Sequence, residues 1–407
     1  MSLPRYPAYQ NSKLEWAKTL PEHWAAKHLK RNVRLLTEKT DTRECPVGLE
    51  NLEGWTGRFI QTESDFQGEG VGFEADDILF GKLRPYLAKV WLADRRGEAI
   101  GDFHVLRPSE CVIPRFIQYQ LLTREVVDLV DGSTYGAKMP RASWGFLGCL
   151  ELPTPPAEEQ LAITNFLDRE TAKIDALIAE QQRLIELLQE KRQAFISHAV
   201  TKGLNPNAPM KDSGVEWLGE VPEHWDVVQF KKFVDIQNGS DHKQVEQVEG
   251  YPVLGSGGVF AYASKFLYDG ESVLLGRKGT IDKPLHIIGR FWTVDTMYWT
   301  RISLDVSGRF TFYSALNIPF DFYSTNTALP SMTKGALSSH RVTYPPLAEQ
   351  TQIASFLDRE TAKIDTLKAE QQRLIELLQE RRSALISAAV TGQIDVRGFV
   401  EVEGSEL

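Results

Sequence analysis

Eight histidines, three cysteines and a few glycine- or proline-rich turns are the places where this 407-residue chain could hold chemistry. Histidine works as a metal ligand or as an acid-base group only beside a second ligand or a titratable neighbour. His28, His104, His198, His242, His286 and His340 show no ligand spacing, and Cys45, Cys111 and Cys149 are too scattered for a zinc site. A phosphate-cradling G-x-x-x-x-G-K-[ST] run is absent. "GEGVGF" (Gly68 to Phe73) has the wrong spacing for a dinucleotide turn and reads as a hairpin or loop. The two Pro-Pro pairs stand in "PPAE" and "PPLA", not in an Asn/Asp-Pro-Pro-aromatic run suited to amino-group methylation. His23 and His224 differ from the other histidines in being duplicated, each directly before a tryptophan. Duplicated but isolated, they read as framework residues beside Trp24 and Trp225 rather than as metal or acid-base groups. Neither a metal nor a cofactor is expected on this chain.

The elements that hold these residues are written twice. "FLDRETAKIDALIAEQQRLIELLQEKR" (Phe166 to Arg192) returns as "FLDRETAKIDTLKAEQQRLIELLQERR" (Phe356 to Arg382), and Phe166–Gly203 matches Phe356–Gln393 at 30 of 38 positions. Ahead of each copy stand "PPAEEQLAI" and "PPLAEQTQI", and further upstream "EWAKTLPEHW" and "EWLGEVPEHW". Each half therefore reads leader, variable region, PP-x-x-EQ, helix. Apolar residues at heptad spacing and the double proline at the start predict a helix of about 57 Å at 1.5 Å per residue. With Leu167 at position a, the expected packing face comprises Leu167, Ile174, Leu177, Gln181, Leu184 and Leu188; its copy comprises Leu357, Ile364, Leu367, Gln371, Leu374 and Leu378. One such seam cannot be buried alone. The two helices are expected to pair as an antiparallel coiled coil with internal pseudo-two-fold symmetry, since that needs the shorter connection. Gln181 and Gln371 either fix the register by pairing or are solvated.

Between the helices the halves diverge. Both variable regions carry short strand-like runs broken by Gly and Pro, such as "DDILFGKLRPYLAKVWLA" and "ESVLLGRKGTIDKPLHII", with a few helical pieces. The expected fold class is α+β, with two small mixed domains. The segments are 1-154 (first variable domain), 155-204 (first helical region), 205-344 (second variable domain) and 345-407 (second helical region and tail).

Composition agrees with a globular protein at 42% hydrophobic and 25% charged, and no apolar run approaches the ~18 residues that span a bilayer. The N-terminal stretch lacks an apolar signal core and the cysteines are few, so a reduced cytoplasmic protein is expected. Net charge is -9, which gives no positive argument for a polyanion. Six of those nine charges fall in 156–204 and 346–407, leaving the variable regions near neutral.

A leader, a variable region and PP-x-x-EQ running into a helix of the "FLDRETAKIDxLIAEQQRLIELLxEKRxALI" kind resemble the specificity (S) subunit of type I restriction-modification systems. "W-x-x-x-x-P-x-x-W", "ILFGKLRPYLAKVWLA" and "VLLGRKGTIDKP" extend the likeness over essentially the whole chain. That resemblance implies a non-catalytic DNA-binding subunit. Each target recognition domain would read one half of a bipartite double-stranded DNA site, while the helices set the spacing and dock two modification subunits. Those partners would methylate adenine N6 with S-adenosylmethionine, and restriction subunits would cleave with ATP and Mg.

Within such domains, side chains that reach base edges specify and phosphate contacts position. The candidates in the first are Lys82, Arg84, Tyr86 and Lys89, with Tyr135, Lys138 and Arg141. In the second they are Arg277, Lys278, Thr280 and Lys283, with Asn326, Ser331, Thr333 and Lys334. Met139-Pro140 and Leu329-Pro330 share the 190-residue offset of the helices, which favours the two late segments over an arbitrary basic loop. The competing function is a coiled-coil adaptor joining two protein-binding domains, which the acidic total would suit.

Overall fold

A computed structural model describes residues 3–12, 14, 16–40, 45–62, 69–134, 138–323 and 330–399. The chain divides into two compact units, Met1–Gln181 with Arg373–Leu407 and Gln182–Gln372, so each long helix contributes to both. Four helices matter below: α1 (Pro114–Leu121), α2 (Ala157–Lys202), α3 (Gly308–Leu316) and α4 (Leu347–Val390). Among the described residues no helix is long and apolar enough to cross a membrane.

The first unit contains a four-stranded antiparallel sheet in the order Val33–Leu36, Phe103–Pro108, Ile78–Gly81, Val90–Leu92. A second four-stranded sheet runs Lys39–Thr40, Gly70–Phe73, Gly97–Ile100, Pro46–Val47. The second unit instead builds one seven-stranded sheet around Tyr268–Gly276 and Leu285–Thr293. Both units share an outer frame: Ala25–His28 pairs antiparallel with Glu151–Thr154, and Asp226–Gln229 pairs in the same way with Arg341–Tyr344. The α+β architecture expected from the strand-like runs is thus present, on two different sheets.

Within each unit the long helices run antiparallel. In the first, Ile163, Phe166 and Leu167 of α2 share a core with Ile386, Ala389 and Val390 of α4, and Asp175 pairs with Arg382 at 2.9 Å. In the second, Arg192 pairs with Asp365 at 3.3 Å and the Phe195 ring meets Phe356.

The seam differs from the expected one. Leu167, Ile174, Leu357, Ile364 and Leu378 are buried, and Gln181, Leu188 and Gln371 are half-buried. Leu177, Leu184, Leu367 and Leu374 are exposed at 39–45% and do not pack there. The covered stripe runs instead through positions a and e, taking in Thr171, Ile178 and Ile185 on α2 and Thr361 and Ile375 on α4. Positions three apart and four apart both lie on one side of a helix, so a leucine-rich row one position off the true seam mimics it in sequence.

Candidate nucleic-acid interface

The PP-x-x-EQ motif is a pair of clamps. Its glutamate receives the leader: Trp24 Nε1 donates to Glu159 at 3.0 Å with His23 Nε2 at 2.6 Å, and Trp225 Nε1 donates to Glu349 at 2.9 Å with His224 Nε2 at 2.8 Å. The two histidines are therefore framework residues. Its glutamine reaches the variable domain: Gln160 Oε1 accepts from the backbone N of Ile113, the residue before α1, while Nε2 donates to Pro155 O. Gln350 repeats this with Ser307, before α3, and Pro345.

A third clamp escaped sequence reading. From α1, Arg115 Nε donates to Asp168 at 2.9 Å and Tyr119 Oη donates to the same carboxylate at 2.5 Å. From α3, Arg309 and Tyr313 do the same to Asp358. Burial alone would raise the Asp358 carboxyl, but the Arg309 and Tyr313 donors hold it below the usual carboxylate range. The repeated R-F-x-x-Y of "RFIQY" and "RFTFY" carried the signal, because residues four apart share a helix face.

Where one central strand of each sheet ends, two candidate segments meet. In the first unit the strand Ile78–Gly81 runs into Lys82–Arg84, and this turn is stitched to the Pro140 segment. Ala142 N donates to Lys82 O at 2.9 Å, Arg84 N donates to Pro140 O at 2.8 Å, and Leu83 bridges Arg141. In the second unit Met332 N donates to Arg277 O at 2.9 Å, Gly279 N donates to Pro330 O at 2.9 Å, and Lys278 bridges Ser331. The correspondence is residue by residue: Lys82 with Arg277, Leu83 with Lys278, Arg84 with Gly279. The last residue of each turn is left-handed, at φ +52 for Arg84 and +81 for Gly279. A residue with a Cβ sustains that only at a cost of about 1 kcal/mol, so Arg84 is held there under strain. Beyond the stitch, Ser143 and Thr333 each accept a backbone N–H as helix caps.

The stitch is pinned from below by unlike residues. His104 Nε2 faces Ala142 O at 3.1 Å, so that nitrogen carries the proton; Tyr298 Oη donates to Met332 O at 3.2 Å. Burial lowers the His104 pKa to about 4, with Lys82 adding to the drop, and keeps the ring neutral.

The candidates divide by what they touch. Arg84, Tyr86, Lys138, Lys278, Thr280, Lys283 and Lys334 are exposed and Lys82 half-exposed. These cations form no ion pair among the described residues. Lys89 Nζ donates to Leu49 O at 2.6 Å, Arg141 makes a two-pronged pair with Asp102, and Thr333 is a cap, so these three shape the loops. Arg277 donates to Asp295 O and its guanidinium lies over the Tyr298 ring. Ser331 sits half-buried in the bridge; Tyr135 and Asn326 lie outside the described residues. Sequence reading also passed over an open cleft of about 520 Å³ in the first unit, lined by Arg34, Lys39, Arg96 and Arg107 among others. Arg107 is bound two-pronged to Asp77, and Lys39 pairs with Glu69 at 3.1 Å. No cluster of three or more potential metal-ligating side chains occurs among the described residues.

Residues 222–377 match the family model of the type I restriction modification DNA specificity domain. The chain is 24% identical to the type I restriction enzyme MjaVIII specificity subunit of Methanocaldococcus jannaschii, over 84% of this chain and 81% of that one. It is 20% identical to the EcoDI specificity subunit of Escherichia coli, over 94% and 91%. In fold it resembles a chain from a structure of type I R-M complex assembly, with TM-score 0.74 at 16% identity and coverage of 92% and 99%. It also resembles the HsdS subunit of Thermoanaerobacter tengcongensis, with TM-score 0.51 at 16% identity and coverage of 92% and 98%. Residues 222–377 thus match the type I DNA specificity domain, and the chain as a whole is similar in sequence to type I restriction enzyme specificity subunits and in fold to HsdS.

Proposed function

We propose that residues 1–154 and 205–344 each read one half of a bipartite double-stranded DNA site, and that segments 155–204 and 345–407 fix the half-site spacing and dock two modification subunits. The observation that carries this reading is the loop stitch. Two unlike sheets end in the same backbone-bonded pair of loops, and each loop pair offers cations that form no ion pair among the described residues. Lys82, Arg84, Tyr86 and Lys138 serve one half-site; Arg277, Lys278, Thr280, Lys283 and Lys334 serve the other. Phosphate contacts outnumber base contacts in such interfaces, so the lysines chiefly position and the arginines and Tyr86 contribute to reading.

The exposed leucines support the docking role. Leu177, Leu374 and Leu377 in the first unit correspond by repeat to Leu367, Leu184 and Leu187 in the second. Two equivalent apolar patches suit one modification subunit each. The chain itself does no catalysis. Adenine methylation with S-adenosylmethionine belongs to the modification subunits and ATP- and Mg-dependent cleavage to restriction subunits, all in the cytoplasm where the DNA lies.

The test is retention of duplexes by the chain bound to its modification partner at ~150 mM salt. One bipartite duplex should bind far more tightly than scrambled DNA, with affinity falling as salt rises. Exchange of residues 25–154 for another recognition domain should change one half-site only. Equal retention of all duplexes, or protein partners bound with no DNA, would favour the adaptor instead.

A further inference from the structure

The same glutamate is saturated in one unit and open in the other. Besides His23 and Trp24, Glu159 receives the Tyr6 hydroxyl at 3.0 Å, and Arg397 stands 3.9 Å away. Tyr6 is brought there by an extended segment: Asp395 N donates to Pro4 O at 2.8 Å, Tyr9 Oη donates to Gly392 O at 3.0 Å, and the Tyr6 ring lies 5.7 Å from His23. Burial, then the Glu159 carboxylate, hold the Tyr6 phenol far above its usual pKa, so it remains a donor.

Strand register identifies the counterpart position. Tyr9 pairs with Pro21 as Met210 pairs with Pro222, so three residues earlier Tyr6 corresponds to Asn207. Asn207 is exposed, and its backbone N–H is taken by Asn205. Glu349 keeps only His224 and Trp225 among the described residues, and its side chain is 36% exposed against 11% for Glu159. Beside it opens a cleft of about 340 Å³ lined by Leu204, Ala208, Pro222, Trp225, Glu349 and Ile353, among others.

We propose that this cleft docks a tyrosine carried on an extended segment of a partner protein, its hydroxyl donating to Glu349 and its ring beside His224. A phenylalanine would bring no third donor to the carboxylate beside those of His224 and Trp225. An arginine would meet Lys202 on the rim, where the first unit's helix turn has Gly392. The inference does not depend on DNA reading, and its test contains no DNA.

The probe is a peptide of residues 3–12 of this chain, added to the full-length protein while the indole N–H signals of Trp225 and Trp24 are followed by NMR. The Trp225 signal should shift saturably at millimolar peptide while that of Trp24 stays still. The Tyr6→Phe peptide should bind at least fivefold more weakly. In the Asn207→Tyr variant the chain should fill its own cleft, moving the Trp225 signal in advance and abolishing the peptide response. No saturable Trp225 shift, equal binding of both peptides, or an undiminished response in Asn207→Tyr would each overturn the proposal.

Discussion

The first variable region spreads its strands over two four-stranded sheets and the second gathers seven strands into one, yet both meet the long helices through the same side chains. Arg115 and Tyr119 hold Asp168 as Arg309 and Tyr313 hold Asp358, and Gln160 and Gln350 each take one backbone N–H at a helix start. Attachment is uniform while the attached sheets differ. A domain whose fixing points are side chains on the helix and on its own first capped helix can change its sheet without changing its pose.

Removing one attachment gives the largest expected effect. Asp168→Ala should lower stability by about 2 kcal/mol in denaturant unfolding, since Arg115 loses its carboxylate in a partly buried site. Asp358→Ala should cost a similar amount through Arg309. In DNA binding the first change should blur one half-site and the second the other. A loss confined to the same half-site in both variants would break the equivalence of the two clamps.

Next in size is a pH effect of about the same order on the first unit. The His104 pKa falls to about 4 on folding, against about 6.5 unfolded, so protonation favours the unfolded chain. Its stability contribution is complete above about pH 6.5 and is lost as pH falls toward 4. His104→Gln keeps an N–H donor and should flatten that part of the pH profile of thermal unfolding. An unchanged slope would assign the loss elsewhere, His340 being a second buried histidine with its pKa lowered to about 4 by burial.

Smaller still, Lys82→Ala and Lys278→Ala should each weaken DNA binding roughly tenfold, about 1 to 2 kcal/mol, and reduce its salt dependence by about one phosphate contact. The smallest effect sharpens the contrast between the two loop stitches. Arg84→Gly places in the first unit the residue type that the second has at Gly279, releasing left-handed strain. Stability should rise by about 0.5 kcal/mol while DNA affinity falls. A fall in both would show that Arg84 holds the loop rather than reaching outward.

The repeated text of the chain made the helices, their pairing and the division into like frames and unlike contents legible. The seam was misread by one position because Leu177, Leu184 and Leu374 form as regular a row as Ile178, Ile185 and Ile375. Period alone does not say which of two apolar rows faces a sister helix and which faces outward. The loop segments at Lys82 and Pro140 both stand out in the sequence, but their union depends on backbone bonds across about sixty residues, which no local pattern encodes. The Arg-Tyr clamp was written in the sequence as a repeated spacing, and its carboxylate lay inside the helix repeat, where charge reads by default as a solvated face.

The first unit draws on residues 373–399, whereas the second is one unbroken stretch from 182 to 372. During synthesis the second can therefore close while the first waits: Phe166 and Leu167 gain their cover only when Ile386, Val390 and Val396 have emerged. A chain cut short after residue 372 should keep a folded later domain and present a sticky, unfinished earlier one, so the cell meets the amino-terminal half as the late partner in assembly.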